Sequence, residues 1–314
     1  MVVAFIFPGQ GSQSVGMGKT LSDNFIEARQ VFEEVDDALG EKLSTLMFEG
    51  PEETLTLTAN AQPALMAVSM AIIRVMEAQG LDMKSKVSFV AGHSLGEYSA
   101  LCAAGMFSLA DTARLLRLRG NAMQEAVGVG EGAMAAIIGL DEQCVVEICR
   151  SVLGEGICEI ANDNGGGQLV ISGETAAVKK AVERASEKGA KRALLLPVSA
   201  PFHSSLMQPA ANAMNDALHD VNKTAPCVPL IPNVTVVPEN NPKRIIELLV
   251  HQVTGRVRWR ETVEWFGLND VETLFEVGAG KVLTGLTRRI DKNLNAMTVG
   301  RGEEIENALK TLKV

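Results

Sequence analysis

One stretch limits the possible folds more than any other. Residues 87–91 form a short apolar run that ends in Gly92-His93-Ser94-Leu95-Gly96, and a helical pattern over 97–104 begins at once. A strand that passes through so tight a turn straight into a helix is a building unit of α/β architecture, in which crossover helices join parallel strands. The rest of the chain repeats that alternation. Val2–Phe7 reads as a buried first strand broken by Pro8-Gly9, a mainly helical stretch runs to about residue 80, and 108–125 reads as a further helix. After Gly128-Val129-Gly130-Glu131-Gly132 the order changes. Strand 133–140, helix 142–153, strands 157–161 and 168–172, helix 175–188 and strand 192–198 follow. That β-α-β-β-α-β order is the order of a ferredoxin-like unit. The pattern predicts a large α/β domain, 1–127 and 199–314, with a ferredoxin-like small domain, 128–198, inserted into it. The main fold then resumes with a helix near 204–221, a strand near 228–235, helices to about 267, a strand over 273–277 and a final helix.

A chain of 314 residues can bury about three quarters of its unfolded surface, so it needs neither metal nor disulfide to hold a core. The net charge of −9 argues against general nucleic-acid binding, which wants a basic footprint. Five cysteines (Cys102, Cys144, Cys149, Cys158 and Cys227) form no C-x-x-C and no zinc spacing. The apolar N-terminus has no basic n-region and stops at Pro8. Together these point to reduced thiols in a cytoplasmic protein without a metal site. The longest uncharged runs, 54–73 and 193–215, contain prolines, Asn and Gln, so no membrane span is expected.

Gly92-His93-Ser94-Leu95-Gly96 satisfies G-x-S-x-G in the context that gives the motif mechanical meaning, between a strand and a helix. The glycines permit a sharp turn that exposes the Ser94 hydroxyl, and the Leu95 N–H then points at the oxygen of an acyl group under attack. One such donor is worth roughly 3–4 kcal/mol in the transition state. A serine nucleophile needs a base, and the chain has four histidines. His93 sits beside Ser94 in the turn and should point away from its hydroxyl. His219 lies among Asp216, Asp220 and Asn222 on a polar helix face, and His251 in an apolar helix. Elimination leaves His203, in Ser199-Ala200-Pro201-Phe202-His203-Ser204 at a domain junction. No Asp or Glu stands out as its orienter; a backbone carbonyl could take that part. Two other motifs fall short. Gly9-Gln10-Gly11-Ser12-Gln13-Ser14 has Ser14 where G-x-G-x-x-G needs its last glycine, and Gly18-Lys19-Thr20 lacks the leading glycine of a P-loop. The turn after the first strand can still lend N–H groups to an oxyanion hole. Arg114, Arg117 and Arg119 share one helical run, and spacing alone does not single out Arg119.

Four motifs occur in order at suitable spacing: Phe7-Pro8-Gly9-Gln10-Gly11-Ser12-Gln13, Gly92-His93-Ser94-Leu95-Gly96-Glu97, Arg119-Gly120 and Pro201-Phe202-His203-Ser204. In this the chain resembles the malonyl-CoA:acyl carrier protein transacylases of fatty acid synthesis, over essentially its full length. The start at Met1 without flanking domains leads to the expectation of the stand-alone bacterial-type form. The resemblance implies a hydrolase-like parallel-sheet core and a set of roles. Ser94 would carry the malonyl ester, His203 would be its base and later its acid, and Arg119 would pair with the free malonyl carboxylate. The backbone N–H groups of Gln10 and Leu95 would form the oxyanion hole, and the Gln252 carbonyl would orient His203. Asn162, Lys191, Arg192 and Val282 would touch CoA or its pantetheine arm, and Phe202 resembles the form associated with unbranched malonyl. Malonyl-CoA and acyl carrier protein are the implied partners, with no cofactor, nucleic acid or membrane. Lys191, Arg192, Lys281, Arg288 and Arg289 are the expected docking residues for the carrier.

Two other functions remain open on the residues alone. A serine hydrolase of the esterase or patatin type would use the G-x-S-x-G turn without Arg119. A nucleotide-binding module would use Gly18-Lys19-Thr20.

Overall fold

The computed structural model describes residues 1–198 and 200–314. Their strands form two sheets of four. β1 (Val2–Phe7) and β2 (Phe89–Gly92) pair in parallel. β3 (Gly132–Ile138), β4 (Cys158–Asp163), β5 (Gln168–Glu174) and β6 (Arg192–Leu195) make an antiparallel sheet in the order β4-β5-β3-β6. β7 (Val271–Val277) and β8 (Asn295–Val299) complete the parallel sheet, whose order is β2-β1-β7-β8.

β1 reads as an uninterrupted apolar run because both faces of the parallel sheet are covered. Val3, Phe5 and Phe7 enter the larger core, whereas Ala4 and Ile6 enter a second core with Trp259, Val263, Phe266 and Leu274. The larger core also takes the helix Thr58–Ala78. That helix is long and apolar enough to cross a membrane by length and composition, but 83% of its most apolar window is buried inside the protein.

The antiparallel sheet has its own core. Ala135, Ile137, Leu169 and Ile171 turn toward the helices Glu142–Ser151 and Thr175–Glu187, with Val145, Ile148, Ala177 and Ala181 against them. The alternate residues, Met134, Ala136, Gln168 and Val170, face the other way and line a cleft against the parallel sheet. The expected junction at 198/199 involves Ser199, which lies outside the described residues.

Two expectations need correction. No strand forms near 228–235. Leu230 makes isolated bridges to Val90 and Glu239 only, because Pro229 and Pro232 flank it and neither can donate to a ladder. The end of the chain is not one helix but Val282–Ile290, then β8, then Gly302–Leu312. The helix expected near 204–221 begins as a 3-10 turn and becomes α-helical over Gln208–Asp220.

Candidate active site

β1 and β2 are neighbours in register, with Phe7 opposite Gly92, so the loops leaving their carboxyl ends lie side by side. One carries Gln10 and the other carries Ser94 and Leu95. In open parallel sheets that end is where crevices form. A Cβ on Gly92 would stand 1.9 Å from the Gly96 backbone, and one on Gly96 would stand 2.2 Å from the Phe7 carbonyl oxygen. A Cβ on Gly9 would come within 2.7 Å of the His93 carbonyl oxygen. The turn therefore closes only with glycine at these positions, and it drives Ser94 to φ 54°. A non-glycine residue there carries strain of about 1–3 kcal/mol, which the surroundings must hold. Asn233 does so. Its Oδ1 accepts from the Ser94 N–H at 2.9 Å and its Nδ2 donates to the Gly92 carbonyl at 2.7 Å.

His203, also at positive φ (56°), places Nε2 2.8 Å from Ser94 Oγ. Its Nδ1 faces two carbonyl oxygens, of Gln252 at 2.9 Å and Gly255 at 3.1 Å. Carbonyls only accept, so Nδ1 carries the hydrogen and Nε2 presents a lone pair to the serine. Burial, and then the neighbouring Arg119 charge, push the His203 pKa down to about 3, so the imidazole is neutral and able to accept a proton at ordinary pH. His93 points away, as expected, with Nε2 2.9 Å from Asn164 Oδ1. His219 is exposed on its helix. His251 is exposed as well, so its helix is amphipathic rather than apolar throughout.

Burial separates the three arginines that spacing could not. The Arg114 side chain is 58% exposed and Arg117 is tied to Glu41 and Asn60, but Arg119 is 1% exposed. Its Nη1 donates to Gln62 Oε1 at 2.8 Å, and its Nη2 to Gln252 Oε1 at 2.8 Å and Ser94 Oγ at 3.2 Å. Every one of those acceptors is neutral, and Nε has no partner among the described residues. The Leu95 and Gln10 N–H groups have no acceptor among the described residues, whereas the Ser94 N–H is committed to Asn233.

Ser94, His203, Arg119, Gln62, Leu95 and Gln10 line a cleft of about 360 Å³, along with Asn162, Phe202 and Val282. Lys191 and Arg192 are not in its lining. They are exposed at the start of β6, about four residues or roughly 13 Å of extended chain from Leu196, which is. A larger groove, about 1160 Å³, lies beyond Ser14 and Lys281 and contains no nucleophile–base pair. Gly18 and Lys19 are in or near that groove, and the Lys19 ammonium lies 5.8 Å from the ring centre of Phe48.

Residues 4–285 match the acyl transferase domain family. The malonyl CoA-acyl carrier protein transacylase of Bacillus subtilis (strain 168) is 45% identical over 99% of this chain and 97% of its own. The chain belongs to the malonyl CoA-acyl carrier protein transacylase family. A crystal structure of acyl-carrier-protein S-malonyltransferase from Bartonella henselae superposes with a TM-score of 0.99, at 73% identity and full coverage of both chains. A further transacylase structure is similar at a TM-score of 0.96 and 44% identity, covering 99% of this chain and 100% of that one. It holds a type II PKS acyl-carrier protein in complex with its malonyl-transacylase.

Of the residues expected by resemblance to this transacylase family, Ser94, His203, Arg119, Gln10, Leu95 and Gln252 come together in space, and Asn162 and Val282 line the same cleft. Gln62 and Asn233 were not expected. Neither lies in a motif, and each meets its partner across a long stretch of chain. Glu97 directly follows the G-x-S-x-G turn and closes the second of the four motifs, but the sequence assigns it no role.

Proposed function

We propose that the chain transfers malonyl from CoA to the phosphopantetheine thiol of acyl carrier protein through a malonyl-Ser94 intermediate, supplying fatty acid synthesis. One observation carries this reading: a buried guanidinium without a carboxylate partner among the described residues lies 3.2 Å from the hydroxyl of a serine with an imidazole nitrogen 2.8 Å away. A simple ester hydrolase has no use for that cation. A malonyl thioester does, because its free carboxylate matches a planar, two-pronged donor.

The steps follow from the geometry. His203 Nε2 takes the Ser94 hydroxyl proton as Oγ attacks the thioester carbonyl. The N–H groups of Leu95 and Gln10 receive the developing oxyanion, and the carbonyls of Gln252 and Gly255 hold the imidazolium that forms. His203 then returns the proton to the departing CoA sulfur. The carrier's thiol repeats these steps in reverse, giving a ping-pong exchange run by a Ser-His dyad. No metal or other cofactor is needed, since CoA thioester is itself a substrate. Asn162 and Val282 border the path of the pantetheine arm, and Lys191 and Arg192 suit the phosphates of CoA further out. Phe202, in the cleft wall beside His203, suits an unbranched acyl group.

The same reading treats the parallel sheet as a hydrolase-like core and residues 128–198 as a ferredoxin-like domain. The strand order β4-β5-β3-β6 and the separate core of that sheet support it. We place the enzyme in the cytoplasm, with carrier protein as its macromolecular partner and neither nucleic acid nor membrane.

Intact-protein mass spectrometry after brief incubation with malonyl-CoA tests the reading. One malonyl adduct is expected, absent in Ser94→Ala and discharged by carrier protein. Free malonate accumulating without an adduct would replace the transferase with a hydrolase.

A further inference from the structure

Glu97 is 1% exposed and lies directly beneath the nucleophile turn, yet the mechanism above does not use it. Its Oε2 accepts from Gln252 Nε2, which also donates to the Ser94 carbonyl at 2.8 Å. The same carboxamide turns its Oε1 to Arg119 Nη2 at 2.8 Å. Flipping that amide would set its NH2 against a guanidinium and its oxygen against a carboxyl, so its orientation is fixed. Glu97, Gln252 and Arg119 thus form one buried relay, in which Glu97 is the acid linked to the substrate-binding cation.

We propose that the protonation of Glu97 sets the selectivity of Arg119 for an anionic acyl group: the guanidinium holds a substrate carboxylate when Glu97 is a neutral acid, so binding of malonyl-CoA to ionised enzyme draws one proton onto Glu97. The proposal rests on the reading of Arg119 as the partner of the malonyl carboxylate. Its physical basis is the charge count. One buried guanidinium balances one carboxylate. Two carboxylates flanking it in a desolvated site repel each other, and the weaker acid takes up a proton.

The surroundings point to Glu97 as the group that yields. Burial already pushes its pKa up to about 8, against the opposing pull of Gln252, the Asn233 backbone N–H and Arg119. The other titratable groups facing this cluster are silent near that pH. Burial raises Tyr98, on the same helix, to about 12. His203, at about 3, and His93, also lowered by burial, are neutral. The sign follows. Free enzyme below about pH 8 holds Glu97 mostly protonated and binds malonyl without proton exchange. Above that pH the proton must be taken from solution, and affinity falls as pH rises.

Titration calorimetry on the Ser94→Ala protein, which binds thioester without reacting, reads this directly. Malonyl-CoA and acetyl-CoA are compared at pH 7 and pH 9 in two buffers of different ionisation enthalpy, so contributions from the shared CoA moiety cancel. The expected result is proton uptake near zero at pH 7, rising toward one per site at pH 9 for malonyl-CoA only. The malonyl-CoA affinity falls by up to about tenfold per pH unit in the alkaline range. In Ser94→Ala/Glu97→Gln both effects vanish. Buffer-independent heats at both pH values with malonyl-CoA still preferred over acetyl-CoA would overturn the role of Glu97 and leave that of Arg119 standing. Uptake that persists in the Glu97→Gln protein would also overturn it. No preference for malonyl-CoA at pH 7 would instead remove the Arg119 reading, and the proposal with it. If Glu97→Gln does not fold, the two-buffer comparison with Glu97 intact still decides.

Discussion

Gln252 shows how much one residue can organise. Its backbone carbonyl receives His203 Nδ1–H, its side-chain oxygen receives Arg119, and its side-chain nitrogen donates to the Ser94 carbonyl. His203, Arg119 and Ser94 are therefore indexed to a single position on the helix Pro242–Thr254. Arg119 gives the plainest test of how those contacts divide between structure and selectivity. A guanidinium held by neutral oxygens keeps its charge available for an incoming carboxylate, and losing one partner of such a buried pair costs about 2–5 kcal/mol. Arg119→Ala should therefore lower the rate constant for acylation by malonyl-CoA, kcat/KM, by roughly 30-fold to several thousand-fold. Acylation by acetyl-CoA, which brings no carboxylate, should change far less. Arg119→Lys keeps the charge but loses the fork, and should fall between the two. Single-turnover acylation with both thioesters makes the comparison; equal losses for the two would show that Arg119 only supports the fold.

At the scale of elements, the strand–turn–helix around Ser94 is governed by backbone clearance. A Cβ at Gly92 meets the Gly96 carbonyl carbon at 1.9 Å, and backbone on both sides leaves nothing free to move. Gly92→Ala should lose more than about 4 kcal/mol, enough to prevent folding. Gly105, at positive φ (75°) where Gly92 is not, has open space around it, and Gly105→Ala should cost only about 1–3 kcal/mol. A cooperative urea transition that survives at a lower midpoint in Gly105→Ala, and is absent in Gly92→Ala, separates backbone strain from clearance. The same clearance explains why this element could be read from sequence at all, since only glycine fits and the motif records the fact. Val2–Phe7 was legible for a related reason, as a strand covered on both faces is apolar at every position. Where the reading failed, local pattern and tertiary role diverged. Residues 228–235 carry the apolar content of a strand, but two prolines remove the ladder donors. β8 has the polar Asn295 and Thr298 within five residues and takes its strand form from pairing with β7. Asn233 and Gln62 were illegible because their partners, Ser94 and Arg119, lie 139 and 57 residues away.

At the scale of the whole molecule, a net charge of −9 repels an acidic carrier protein at long range, so docking must depend on where the positive charges are placed. Arg256, Arg258 and Arg260 are not free for this, being tied to Glu142, Glu261 and Asp163. Lys191, Arg192, Lys281, Arg288 and Arg289 are exposed and have no carboxylate partner among the described residues. Lys191 and Arg192 lie at the start of β6, which runs toward the cleft-lining Leu196, and Lys281, Arg288 and Arg289 lie on the helix Val282–Ile290 and the residue before it, whose Val282 and Leu283 line the cleft. Exposed charges interact through solvent, with a screening length of about 8 Å at physiological salt that shrinks as salt rises. Discharge of malonyl-Ser94 by carrier protein should therefore weaken steadily with added salt. Arg288→Glu/Arg289→Glu should slow that discharge by about fivefold or more at low salt, because exposed charges at an interface are worth up to about 1 kcal/mol each. The gap between variant and parent should close at high salt, while thermal stability falls only modestly, since both arginines lie in the last turn of their helix, where a cation is worth about 0.3–1 kcal/mol. Discharge rates that ignore salt, or a double reversal without effect, would move the docking face elsewhere on the molecule.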